Sequence, residues 1–329
     1  MAIIKKEEYR DYDAINQSKA KLIVNPLLYK NYSPPEDDGE EKDHLRFGSF
    51  QDELLLASDD IWDKYIVCNV EKPTASLLDL ANACYKNDII AKEDIAQKAI
   101  DMNLWGNIKK PEVLVKRFDN KLFWDYMEFL SNSEGKSVLT DLEYDLALHN
   151  FNNLHYSLKD RMAKVCLTGE YKGMLLKGEL DYLYINHDLK TWRVEDLKST
   201  ADVANFDRSI LKWRYDFQIP FYEYLVEQNR NLLGIPADYC KVPGRWHVVS
   251  NAIKMANYTY INVWDSWKSF WENGRYYMGV QEALDRLHWH NKENKWEYPL
   301  EHYKDGFLSP KTNVRYEPEP INTNYRLEL

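Results

Sequence analysis

Residues 169–200 read GEYKGMLLKGELDYLYINHDLKTWRVEDLKST. Apolar and polar residues alternate through most of this stretch, the period of a strand with one buried face. Turn residues interrupt the alternation at Lys172-Gly173 and at Asn186-His187-Asp188. Three strands are therefore predicted, over 170–177, 179–186 and 191–198. Charge is dense here: Asp181 on the middle strand, then Glu195, Asp196 and Lys198 at the end of the third. Burying such groups is expensive, so this is either a solvated edge or a metal site. Strand alternation puts Asp196 and Lys198 on one face and Glu195 on the other. If the strands are neighbours, Asp181 and Asp196 can converge on one divalent cation, for which Mg²⁺ demands hard oxygen ligands. A lysine beside such a site can orient the attacking water and offset phosphate charge. Taken alone the spacing is weak, because 29% of the chain is charged.

Outward from this stretch the chain is mostly helical on the N-terminal side. Helical spacing runs over 9–31, with Asn16 or Ser18 as caps and a break at Asn25-Pro26. The acid- and proline-rich 32–44 reads as a loop, 45–58 as a helix and 63–70 as a strand. From 74 to about 157 the pattern is helical. A long helix is predicted over 203–230, strands over 245–251 and 258–264, an amphipathic helix over 265–290, and an irregular tail after Trp296. The expected organisation is one α/β domain over 1–329: a mainly helical part to 157, a core over 158–270, then a C-terminal helix and tail.

Composition bounds the function. The 329 residues are 44% apolar and 14% aromatic, enough for a sizeable core. A net charge of −10 argues against a general polyanion-binding module, though not against an enzyme meeting DNA through one local patch. No 18-residue apolar run and no apolar leader are present, so a soluble cytoplasmic protein is expected. The four cysteines include no C-x-x-C pair, which argues against structural zinc and an iron–sulfur cluster. No phosphate-cradling G-x-x-x-x-G-K-[ST] sequence is present, so no ATP site is expected. His288 and His290 read as packing or surface groups, Arg46 as an ion-pair partner or a phosphate contact, and Ser199-Thr200 as turn residues. The clusters at 109–118 and 208–215 could each touch a nucleic-acid backbone or be ordinary helix faces.

Twenty residues after Lys198, Gln218 and Tyr222 stand four apart, on one face of a helix. Strand, acid, strand, acid-x-lysine, then a helix with Q-x-x-x-Y resembles the PD-(D/E)XK nuclease superfamily. The likeness is to its RecB-like branch, especially exodeoxyribonuclease VIII (RecE-type) and related phage exonucleases. INQSKAKLIVNPLLYKN (15–31) resembles the branch's N-terminal helix motif, and LRFGSFQDELLL (45–56) its R-F-G segment. Two departures stand out. Asp52 occupies the place of the branch's usual histidine, and Pro220 lies inside the Q-x-x-x-Y helix, where it predicts a bend that disturbs Gln218 and Tyr222.

The resemblance implies a restriction-endonuclease-like core, a central mixed sheet flanked by helices, and metal-dependent DNA hydrolysis, most readily from ends. It implies Asp181 and Asp196 as ligands of Mg²⁺ or Mn²⁺, with Asp52 and Glu170 completing a two-ion site. Glu170 reads equally as an exposed edge charge. Lys198 would position the water, and Gln218 and Tyr222 would align the helix or touch DNA. A ring-like homo-oligomer and a single-strand annealing partner are further implications. A nicking or structure-specific endonuclease, and a silent DNA-binding or assembly protein with this fold, are the competing expectations.

Overall fold

The structure is a computed structural model, and it describes residues 1–33, 43–55, 60–106, 108–158 and 160–305. The loop predicted at 32–44 and the tail beyond Asp305 lie largely outside these. The chain forms two compact units, one of residues 1–37, 157–249 and 257–329, the other of 38–156 and 250–256.

The first unit holds the predicted core. Its seven-stranded sheet runs in the order Ala2–Ile3, Met162–Tyr171, Met174–Asn186, Thr191–Thr200, Arg245–Ser250, Tyr258–Ile261. Cys240–Lys241 joins Thr191–Thr200 in parallel while the other registers seen are antiparallel, so the sheet is mixed. The strand expected over 170–177 is two pieces of two strands. Lys172 and Gly173 take φ of 50° and 81°, the left-handed values of a tight hairpin, and Met174–Asn186 then continues through the supposed break at 178. Gly178 does not end a strand. A methyl group there would come within 2.7 Å of Leu225 and 2.9 Å of Tyr222, so the glycine lets a helix lie against the sheet.

That helix is Tyr215–Gln228, and it buries Phe217, Phe221, Leu225 and Val226. Burial of each is worth ~1.5–3 kcal/mol. The single helix expected over 203–230 is two, Phe206–Lys212 and Tyr215–Gln228. Arg214 breaks it at φ 60°, held there by Asp216 at 3.0 and 3.2 Å and by the Met278 carbonyl at 2.6 Å. The helix expected over 265–290 is also divided. Asn273 and Gly274, both with positive φ, turn a short hairpin between Phe270–Glu272 and Arg275–Tyr277, and the helix proper is Val280–Glu293.

The N-terminal segment is stitched to the sheet. Ile15 exchanges backbone hydrogen bonds with Leu175 and Lys177 at 2.9 Å each, along the stretch of Met174–Asn186 not paired with Thr191–Thr200. The buried Lys177 ammonium donates to the carbonyls of Tyr9, Arg10 and Tyr12 at 2.8, 3.2 and 2.6 Å, closing the end of the Lys6–Asp11 helix.

The second unit is mainly helical, as expected, with helices that include Asp43–Leu55, Ala75–Tyr85, Lys92–Asp101, Pro111–Phe118, Lys121–Asn132 and Asp141–Leu158. Its unpredicted strand, Ser137–Thr140, pairs in parallel with Tyr65–Cys68. Thr140 and Glu143 cap the following helix reciprocally, at 2.7 and 3.1 Å. Arg46 pairs with Glu143 at 2.7 Å, its ion-pair reading.

Candidate active site

Strand register in the first unit decides which charges meet. Tyr182 pairs with Glu195, so Asp181 and Asp196 occupy adjoining positions just beyond the last paired residues of two neighbouring strands. Their carboxyl groups interact directly. Asp181 accepts from the Lys164 ammonium at 2.7 Å and from the Leu197 backbone N–H at 3.0 Å. Asp196 Oδ1 accepts from Gln218 Nε2 at 2.8 Å, and its Oδ2 lies against the Lys198 ammonium. Gln218 also reaches the Tyr222 hydroxyl at 3.3 Å. Lys198 Nζ stands 5.0 Å from the centre of the Tyr215 ring.

The bend feared from Pro220 does not separate Gln218 from Tyr222. The proline sits at the sixth position of its helix, and both polar side chains still point to Asp196 or to each other. Asp181, Asp196, Lys198, Gln218 and Tyr222 are thus brought together.

Glu170 is not. It pairs with Leu175 next to the hairpin turn, six positions from Asp181, about 20 Å at the rise of a strand. Its carboxylate accepts from the Gly173 N–H at 3.2 Å, and it is exposed, the edge-charge reading. Asp52 lies half-buried on the Asp43–Leu55 helix of the other unit. His290 is buried and stacks on Trp296, a packing residue.

The two carboxyls titrate in opposite directions. Burial, reinforced by the negative charge of Asp181, pushes Asp196 up to about 7 against the pull of Lys198. Burial would raise Asp181 too, but Lys164 and Lys198 hold it well below the usual carboxylate range. Lys198 is itself raised: burial opposes its charge, and Asp196 and Asp181 more than restore it.

Sequence reasoning missed three participants. Lys164 lies on the hairpin's first strand at φ 47°, and only cross-strand register aims it at Asp181. The Leu197 N–H carries no side-chain signal. Lys21 arrives on the stitched N-terminal segment and donates to the Arg214 carbonyl at 3.4 Å. Burial, with Lys198 and Arg214 nearby, lowers it to about 8. Its spacing in QSKAKL looked like any helix-surface lysine.

This donor set fits a hard divalent cation. Two carboxyls adjoin, and one of them is raised by burial and, in lesser part, by the repulsion of the other, which a cation would relieve. Among the described residues, no group of three or more His, Cys, Asp or Glu side chains gathers to hold an ion. The remaining positions would fall to water and to phosphate oxygens, as Mg²⁺ tolerates.

No helix among the described residues is long and apolar enough to cross a membrane. Comparison with curated proteins returns no match. Among solved structures, one from Eubacterium rectale described as a "Putative exonuclease" matches with a TM-score of 0.44 and 15% identity, over 98% of this chain and 97% of that one. The family model of the PD-(D/E)XK nuclease superfamily matches residues 76–298, a span that takes in every core strand from Met162 to Ile261. That match extends over more than half of the chain, and the protein belongs to the PD-(D/E)XK nuclease superfamily.

Proposed function

We propose that this nuclease is a divalent-metal-dependent DNA exonuclease of the RecE type. The observation that carries the reading is the meeting of buried Asp196 with half-buried Asp181 and Lys198, with Gln218 bonded to Asp196. A net charge of −10 also suits an enzyme that engages DNA locally rather than along a duplex.

In this reading Asp181 and Asp196 would hold Mg²⁺ or Mn²⁺. Once bound, the ion supplies positive charge to the phosphate and lowers the pKa of coordinated water. Lys198 orients the attacking water. The water oxygen bonds to phosphorus while the P–O bond to the leaving strand breaks, and the departing oxygen takes up a proton. Gln218 fixes the rotamer of Asp196, and Tyr222 fixes Gln218. Asp181, kept ionised by Lys164, would ligate as it stands, and Asp196 would ligate in its deprotonated form.

The test uses linear duplex DNA and a covalently closed circle side by side. With Mg²⁺ or Mn²⁺, the linear form should be degraded progressively and the circle should survive; EDTA should stop the reaction. Rapid nicking of the circle would replace this reading with an endonuclease. Inertness toward both forms, with Mn²⁺ present and the fold intact, would leave a silent binding protein.

A further inference from the structure

The strand that presents Asp196 and Lys198 carries a second cluster on its opposite face, and hydrolysis has no use for it. Glu195 is fully buried there. Arg193 pairs directly with Tyr184 across the strands, and Arg161 precedes Met162, whose partner is Leu183, so it falls beside Tyr184 from the other side. The two guanidinium carbons stand 4.2 and 4.4 Å from the centre of the Tyr184 ring. Each arginine gives its Nε to a different oxygen of Glu195, at 2.6 and 2.9 Å, and His247 Nε2 lies 3.0 Å from the second oxygen.

Glu195 is satisfied by these contacts, yet the arginines are not. Their terminal nitrogens carry no protein hydrogen bond among the described residues. A third guanidinium, Arg245 at the start of the next strand, has a buried Nε without a partner among the described residues. Burial lowers its affinity for a proton, and the charges of Arg193 and Arg161 lower it further. Arg161 and Arg193 pair with Glu195, and Arg245 is close enough to feel the charges of all three, so three guanidinium groups share one carboxylate, an excess of two positive charges within a chain whose net charge is −10. Positive groups left crowded at low exposure are costly unless an anion completes them. Planar forks with spare N–H donors suit the oxygens of a phosphate, which accepts two bonds from each fork.

We propose that Arg161, Arg193 and Arg245 form a phosphate-binding site on the face of the sheet opposite Asp196. Its ligand is a phosphomonoester, either the terminal phosphate of a nucleic-acid strand or free phosphate. The inference does not rest on the exonuclease reading.

The test keeps the full chain in EDTA, so that no strand is cut, and titrates inorganic phosphate by calorimetry and thermal melting. Potassium chloride at matched ionic strength is the control. Binding should be saturable, unaffected by Lys198→Ala, and at least ~10-fold weaker in Arg245→Gln. Arg245→Gln should melt no lower than the parent without phosphate, because the Arg245 side chain makes no hydrogen bond among the described residues and is crowded by Arg193 and Arg161. Arg245→Lys, which keeps the charge but not the fork, should recover part of the affinity. Oligonucleotides with and without a 5′-phosphate then identify the source: preference for the phosphorylated strand assigns a strand end, and equal binding assigns free phosphate. Absence of saturable binding, equal affinity in Arg245→Gln, or loss of binding in Lys198→Ala would each overturn the site.

Discussion

Replacing Asp196 by asparagine should stabilise this protein while silencing it. Asp196 is only 1% exposed, and its carboxyl is moved from the ordinary 3.8 to about 7. Holding it ionised in the fold therefore costs up to about 4 kcal/mol at pH well above 7. The sign follows from the direction of the shift. The folded state binds this proton more tightly than the unfolded chain, so stability is lost as pH rises from about 4 through 7 and is regained on acidification. Asparagine keeps an acceptor for Gln218 Nε2 and removes the charge, but it deprives Lys198 of a partner. A net gain of about 1–3 kcal/mol at pH 8.5 is expected after that loss, several degrees in melting temperature for a domain of this size. Thermal melts of both proteins in EDTA between pH 5 and 8.5 should show the gap closing as pH falls. Mn²⁺ should raise the melting temperature of the parent and leave Asp196→Asn nearly unmoved. A variant less stable than the parent at pH 8.5, or a gap independent of pH, would refute the electrostatic account of this site.

Lys198→Ala should lower turnover on linear DNA by at least ~100-fold while Mn²⁺ binds as well as before or more tightly, since a cation beside the ligands is lost; near-parental turnover would remove Lys198 from the chemistry. Gly178→Ala should destabilise by about 1–3 kcal/mol, because its methyl group meets Leu225 and Tyr222, and denaturant unfolding measures this directly. Activity should fall with it as Tyr222 is displaced from Gln218.

The sequence alone determined what two-residue and four-residue periods can carry. Asp196 and Lys198 share one face and Glu195 takes the other because side chains alternate along any strand, whatever surrounds it. Gln218 and Tyr222 meet because four residues make about one helical turn, and Pro220, early in that helix, does not undo this. The hairpin at Asn273-Gly274 is not read from the sequence: the pair tolerates positive φ, but the helical spacing around it gives one helix over 265–290. What tertiary structure alone decided is which residues distant in the chain stand side by side. Glu170 and Asp181 lie on adjacent strands of one hairpin, yet register puts them about 20 Å apart. Lys164 reaches Asp181 across that same hairpin, and Lys21 reaches the site only because Ile15 ties the N-terminal segment to a free stretch of strand. The arginine row around Tyr184 draws on residues 161, 184, 193 and 245. No local period connects them; cross-strand hydrogen bonding and burial do.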